Sequence, residues 1–176
     1  MPEEARKPLL FLDVDGVISL FGFREGYGLA PGDAPFEGPP GGLHSINGVI
    51  HYISAGCATH LERLGERFEL VWATGWEETA NEHLPHLLGL PGHLPYLSFD
   101  GAVRAGPAHW KIGAIDEFAG KRPLAWIDDN VDESCRAWAE EREAPTLIIE
   151  TVKHEGMRDE HVVLLLEWAD GLAARP

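Results

Sequence analysis

Leu9-Leu10-Phe11-Leu12-Asp13-Val14-Asp15-Gly16 is an unbroken apolar run closed by two acidic residues and a glycine. Four consecutive apolar residues read as a strand buried on both faces, the kind found in parallel sheets. The pattern recurs at Phe68–Ala73, which ends at Thr74-Gly75, and at Pro123–Ile127, which ends at Asp128-Asp129. Pro145–Glu150 is a fourth such run and Pro95–Phe99 a weaker fifth. Helical patterns lie between them. Ser54–Arg67 carries Cys57, Leu61 and Leu64 on one face, and Glu77–Leu88 follows the second run. Trp110–Phe118 precedes the third, and Asp132–Glu143 follows it with Asp132 as N-cap. Asp159–Asp170 closes the chain, with Leu164, Leu165 and Trp168 as its apolar face and Gly171 as its stop. This alternation predicts an α/β chain built on a doubly wound, Rossmann-like, mainly parallel sheet with helices on both faces.

The 176 residues fit one domain spanning 1–176, large enough to bury its own core. Residues 22–47 interrupt the alternation with a high density of glycine and proline, from which no core can be built. The apolar stretches beside it, Val17–Phe21 and Val49–Ile53, predict a β-hairpin flap over 17–53 with a Gly/Pro-rich tip. Within it Phe21, Phe23, Tyr27 and Phe36 either pack the flap onto the body or contact a substrate.

With 14 Lys+Arg against 29 Asp+Glu, the formal net charge is −15. That charge disfavours an extended grip on nucleic acid and adsorption to anionic membranes. No run approaches the roughly 18 apolar residues of a membrane span, and Met1 to Pro8 lacks the apolar stretch of a signal peptide. The expectation is a soluble cytoplasmic protein. Two cysteines, Cys57 and Cys135, are too few for a disulfide framework and read as buried apolar residues. The nine histidines, His44, His51, His83 and His86 among them, show no spacing typical of zinc.

In α/β sheets ligands bind beyond the carboxyl ends of the strands. Those ends here carry Asp13 and Asp15, Thr74, and Asp128 and Asp129. Each piece has an ordinary reading: Asp15-Gly16 as a turn, Thr74-Gly75 as a strand-to-helix connection, Asp128-Asp129-Asn130 as a turn and cap. Their conjunction on one sheet edge is less ordinary. Two carboxylates 4 Å apart repel by about 4 kcal/mol at an effective dielectric of about 20. A fold keeps such a group with a compensating cation or raised pKa values. Hard oxygen donors suit Mg²⁺, which commonly shares its shell with substrate phosphate. Lys111, opening the helix that leads back into the third main strand, is placed to supply positive charge; Lys7 and Lys121 sit at the opposite strand ends. Trp76, two residues past Thr74, is placed to line the mouth of the site, while Trp72 and Trp126 read as core.

These residues resemble the haloacid dehalogenase (HAD) superfamily. The carrying motifs are Leu9-Leu10-Phe11-Leu12-Asp13-Val14-Asp15-Gly16-Val17, then Val71-Trp72-Ala73-Thr74-Gly75-Trp76, then Lys111, then Ala125-Trp126-Ile127-Asp128-Asp129, in the family's order. Within the superfamily the chain looks like the small HAD domains of Swiss Army Knife RNA repair proteins. The resemblance implies a phosphatase-type hydrolase. Asp13 would be the nucleophile that forms an aspartyl-phosphate, and Asp15 would be the general acid and base. Thr74, with the Gly75 N–H at a helix start, would hold phosphoryl oxygens, and Lys111 would neutralise charge. Asp13, the Asp15 backbone carbonyl and Asp128 would hold Mg²⁺, and Asp129 would bind the metal through water or orient Lys111. An acid at Asp15 implies the phosphatase branch rather than dehalogenation. The intervals between motifs leave room for a flap but no cap domain, and capless members often act on large substrates. The expected partner is therefore a phosphorylated substrate, either a small molecule or a nucleic-acid end. A two-component receiver domain fits poorly, because there the acidic pair comes first and the lysine last. A phosphotransferase of the same family and a non-catalytic HAD-like binding module remain as alternatives.

Overall fold

The computed structural model of the chain describes residues 6–23, 38–99 and 107–174. The elements in chain order are β1 (Leu9–Leu12), β2 (Ser19–Leu20), β3 (Gly41–Ile46), β4 (Val49–Ser54), α1 (Gly56–Gly65), β5 (Glu69–Trp72), α2 (Thr79–Leu88), a 3-10 turn (Ala108–Lys111), α3 (Ile112–Ala119), β6 (Leu124–Asp128), α4 (Glu133–Glu141), β7 (Thr146–Glu150) and α5 (Asp159–Ala173). Four strands form a parallel sheet in the order β5-β1-β6-β7. The weak run at 95–99 adds only a single parallel bridge, Tyr96 to Trp72, at the β5 edge.

Strands β1 and β6 and most of β5 are buried on both faces, as their unbroken apolar runs require, whereas the edge strand β7 is only partly buried. Leu10 and Leu12 of β1 pack with Leu61 and Leu64 of α1, Leu84 of α2 and Val162 and Leu165 of α5. Leu9 and Phe11 pack on the other side with Ile115 and Ala119 of α3 and Cys135 of α4. Both cysteines are buried and free. Asp132 caps α4, its Oδ1 accepting from the Cys135 N–H at 3.0 Å.

Three elements differ from the sequence expectation. The hairpin flap is a three-stranded antiparallel sheet, β2-β4-β3, so Gly41–Ile46 is a strand and not part of a loop. Asn47 and Gly48 both adopt positive φ, 51° and 80°, the combination that a two-residue hairpin turn needs. Gly41 fits the strand because a Cβ there would stand 2.4 Å from the Ile53 carbonyl. The greater part of the Gly/Pro-rich tip, residues 24–37 with Tyr27 and Phe36, lies outside the described residues. Of the other two flap aromatics, Phe21 is exposed and Phe23 meets the Tyr52 ring edge-on at 5.6 Å.

Helix α5 runs through Gly171 to Ala173 instead of stopping there. An interior glycine costs about 1 kcal/mol, less than the packing of the helix's buried stripe provides. That stripe is His161, Val162, Leu165 and Ala169, whereas Leu164 is 52% exposed and Trp168 only partly buried, stacked on Phe68. Helix α2 starts at Thr79, so Thr74-Gly75 opens a turn rather than a helix. Among the described residues no helix is long and apolar enough to cross a membrane.

The chain leaves β1, forms the antiparallel sheet and α1, and lays β5 on one side of β1. It then returns to lay β6 on the other side. The carboxyl ends of β1 and β6 therefore lie next to each other where the winding reverses, and the crevice of an α/β sheet opens at such a point.

Candidate functional site

The parallel register pairs Leu12 with Trp72 on one side and with Ile127 on the other. The residues that follow, Asp13, Ala73-Thr74 and Asp128, thus emerge side by side at one edge. Asp13, Asp15, Thr74, Gly75, Trp76, Trp110, Lys111, Asp128 and Asp129 all line one cavity of ≈ 270 Å³. All seven site residues expected from the sequence are in that set. A larger cavity of ≈ 540 Å³ lies between α3 and α4. Its Arg142 is already bound to Asp116, to Thr146 Oγ1 and to the carbonyls of Gly120 and Arg122, and none of the expected site residues lines it.

Lys111 is 3% exposed, and its Nζ lies 2.7 Å from Asp128 Oδ2 and 3.1 Å from Asp13 Oδ2. Burial pulls this lysine down, but the two carboxylates together outweigh it and hold it above the ordinary lysine value. Asp13 also accepts from the Val14 N–H at 2.8 Å through Oδ1, and Asp128 Oδ1 accepts from the Asn130 N–H at 3.0 Å. Lys111 is thus bonded to Asp128 and Asp13, and no contact to Asp129 accompanies them.

Asp13, Asp128 and Asp129 each offer a carboxylate oxygen within 4.8 Å of the others, a group able to hold a metal ion. Three carboxylates face one ammonium. Burial, with Asp128 adding to it and Lys111 opposing it, lifts Asp13 to about 7. Burial and then Asp128 lift Asp129 to about 6. Both shifts come first from loss of water around the carboxylates, with the neighbouring Asp128 charge adding to it. The carboxylate of Asp15 is not in this group; its side chain is 49% exposed. Gly16 makes room for Asp129: at φ 75° it sits so close that a Cβ would lie 2.3 Å from the Asp129 carboxyl.

Thr74 is buried, its Oγ1 accepting from the Trp76 N–H at 3.3 Å. The turn continues to Glu77, whose φ of 47° lies in the left-handed region. Glu77 Oε1 accepts from the Phe99 N–H at 2.9 Å, and the Glu77 N–H donates to the Thr74 carbonyl at 3.0 Å. Trp76 is pinned between these bonds and sends its indole N–H to Asp15 Oδ2 at 2.9 Å.

Trp110 on the cavity wall, and Ser19 and His51 beside Asp15, went unassigned in the sequence. Ser19 Oγ and His51 Nδ1 are 2.9 Å apart, bridging β2 and β4. His51 Nδ1 lies 4.0 Å from Asp15 Oδ1, and the imidazole meets the Trp76 ring edge-on at 4.7 Å. Sequence spacing offers no signal for this, because it depends on the register that sets Ser19 opposite Ile53. Set against known proteins, the chain matches no protein-family model and no curated protein.

Proposed function

We propose that this chain is a Mg²⁺-dependent phosphohydrolase of the HAD type, with a doubly wound, Rossmann-like core, acting on a phosphate monoester through an aspartyl-phosphate. One observation carries the reading: Asp13 and Asp128 bond the buried Lys111 ammonium, Asp129 completes a three-carboxylate group with them, and Asp15 and Thr74 line the same cavity. The donor set fits a divalent ion, since all three donors are hard carboxylate oxygens and charge balance is short of positive charge. Asp13, Asp128 and Asp129 would hold it, and it would supply Lewis-acid neutralisation of phosphoryl charge.

The remaining chemistry belongs to the chain. An Asp13 oxygen attacks phosphorus as the phosphorus–oxygen bond to the leaving group breaks. Asp15, protonated, gives its proton to the departing oxygen. A water then attacks phosphorus, losing a proton to Asp15, and the bond to Asp13 breaks to release phosphate. Lys111 holds Asp13 and Asp128 in place and offsets their charge, in keeping with a reaction where the protein mostly positions and neutralises. The Thr74 hydroxyl and the Gly75 N–H are the donors for phosphoryl oxygens. Half-exposure of Asp15 leaves the leaving-group side open, which suits a substrate larger than the cavity.

The test is phosphate release from a panel of esters, an aryl phosphate and 3′- and 5′-phosphorylated oligonucleotides included, with Mg²⁺ and with chelator. Mg²⁺-dependent release is expected, and Asp13→Asn should abolish it while leaving the fold intact, read by circular dichroism. Near wild-type turnover in that variant would remove Asp13 as nucleophile. Mg²⁺ binding without release from any ester would move the reading to a phosphotransferase or a binding module.

A further inference from the structure

We infer that His51 and Trp76 form a clamp that positions the Asp15 carboxylate, making the antiparallel sheet part of the catalytic apparatus; this rests on the phosphohydrolase reading above. The problem the clamp solves is visible in Asp15 itself. A general acid must present one oxygen to the leaving group within hydrogen-bond reach. The Asp15 side chain is half exposed and, unlike Asp13 and Asp128, has no bond to the buried lysine. Left alone it would sample several rotamers, and misplacement by about 1 Å can lower a rate about 100-fold.

A continuous set of contacts restrains it. Trp76 Nε1 donates to Asp15 Oδ2 at 2.9 Å, so one oxygen is taken and the other, Oδ1, is left for proton transfer. His51 Nδ1 stands 4.0 Å from that second oxygen, bounding its position without bonding it. The His51 ring packs edge-on against Trp76 and is itself fixed by Ser19 Oγ at 2.9 Å. Ser19 is 3% exposed and the His51 side chain 15%, so both anchors are far more buried than the group they restrain. On its other side Trp76 is held by the Thr74–Glu77 turn, with the left-handed Glu77 tied to the Phe99 N–H. His51 and Trp76 are positioning residues: they act through Asp15.

A clamp on a general acid has a signature that loss of stability lacks. An alkyl leaving group needs the proton, whereas 4-nitrophenolate departs with little help. The measurement is kcat/KM, which reports steps through leaving-group departure, for a simple alkyl phosphate and for 4-nitrophenyl phosphate. Wild type, His51→Ala and Trp76→Phe are compared. Trp76→Phe keeps the ring and removes only the N–H, so it tests the clamp even where His51→Ala disturbs the hairpin. In both variants the loss on the alkyl ester is expected to exceed the loss on the aryl ester by about tenfold or more. The Mg²⁺-induced rise in melting temperature should stay at its wild-type size, since neither side chain belongs to the carboxylate group. Equal losses on both esters, or no loss in Trp76→Phe, would overturn the clamp while leaving the phosphohydrolase intact. A wild-type protein that releases phosphate from neither these esters nor the phosphorylated oligonucleotides would overturn the phosphohydrolase itself, and the clamp with it.

Discussion

At Gly16 the chain turns with φ 75°, and the space a side chain would occupy is filled by the Asp129 carboxyl. Alanine there would meet a left-handed backbone cost of about 1–2 kcal/mol and would push Asp129 away from Asp13 and Asp128. Gly16→Ala should therefore weaken Mg²⁺ binding by about 10- to 100-fold, read by titrating Mg²⁺ against melting temperature; an unchanged affinity would separate Gly16 from the site. Lys111 makes the opposite kind of contribution. Replacing it with methionine leaves Asp13 and Asp128 buried without their cation, which should destabilise the protein by about 3–5 kcal/mol in urea unfolding without metal. A loss below about 1 kcal/mol would mean that the pair is dispensable to the fold. Single residues of this kind were legible before the structure wherever strand ends mark them, as with Asp13, Thr74 and Asp128. Whether Asp128 or Asp129 meets Lys111 was not legible, because adjacent residues leave a strand end in different directions and the tertiary packing decides which one faces the lysine. Lys111 bonds Asp128, which leaves Asp129 lodged against Gly16.

Among elements, α5 carries a titratable cap. His161 stands at its third position, and its Nδ1 accepts from the Arg158 N–H at 3.1 Å, which only an unprotonated nitrogen can do. Burial first, then Arg158 and His60, hold its pKa below the ordinary histidine value, with Glu160 and Glu155 opposing. The unfolded chain therefore takes up the proton at a higher pH than the folded one. The histidine's contribution is complete above pH about 6.5 and is lost as pH falls through the lower folded value. Melting temperature should drop more between pH 7.5 and 5.5 in wild type than in His161→Gln, which keeps an acceptor that does not titrate; equal drops would remove His161 as the cause. The β1, β5 and β6 runs were readable because burial on both faces leaves an unbroken apolar signature, and the edge strand β7, only partly buried, was readable from its own apolar run Leu147-Ile148-Ile149. Strand β3 was not read, although Asn47-Gly48 is a hairpin signal, because the glycines and prolines before it look like loop. Its exposed Leu43 and the exposed Val49 and Ile50 of β4 lack the clean alternation that marks a half-buried strand.

For the whole molecule, the side chains proposed to hold Mg²⁺ come from the ends of β1 and β6, neighbours in the sheet but far apart along the chain. The class of fold followed from alternating runs, whereas the clamp at Asp15 depends on how the antiparallel sheet docks, which no local pattern encodes. At a hundredfold excess over its dissociation constant a bound ion adds about 2.7 kcal/mol to stability, so chelation should lower the unfolding midpoint correspondingly. An unmoved midpoint would speak against a resident ion. The separation of those strands also has a kinetic meaning. Until β6 docks beside β1 there is no site, only scattered aspartates that hold a metal weakly. Pairing strands so distant in sequence is among the later, slower events of folding. Added Mg²⁺ should then leave the refolding rate nearly untouched and slow unfolding by close to the full equilibrium gain. In stopped-flow jumps that appears as a chevron whose unfolding arm alone moves with metal; a refolding arm that quickens instead would mean β1 and β6 are already paired at the barrier.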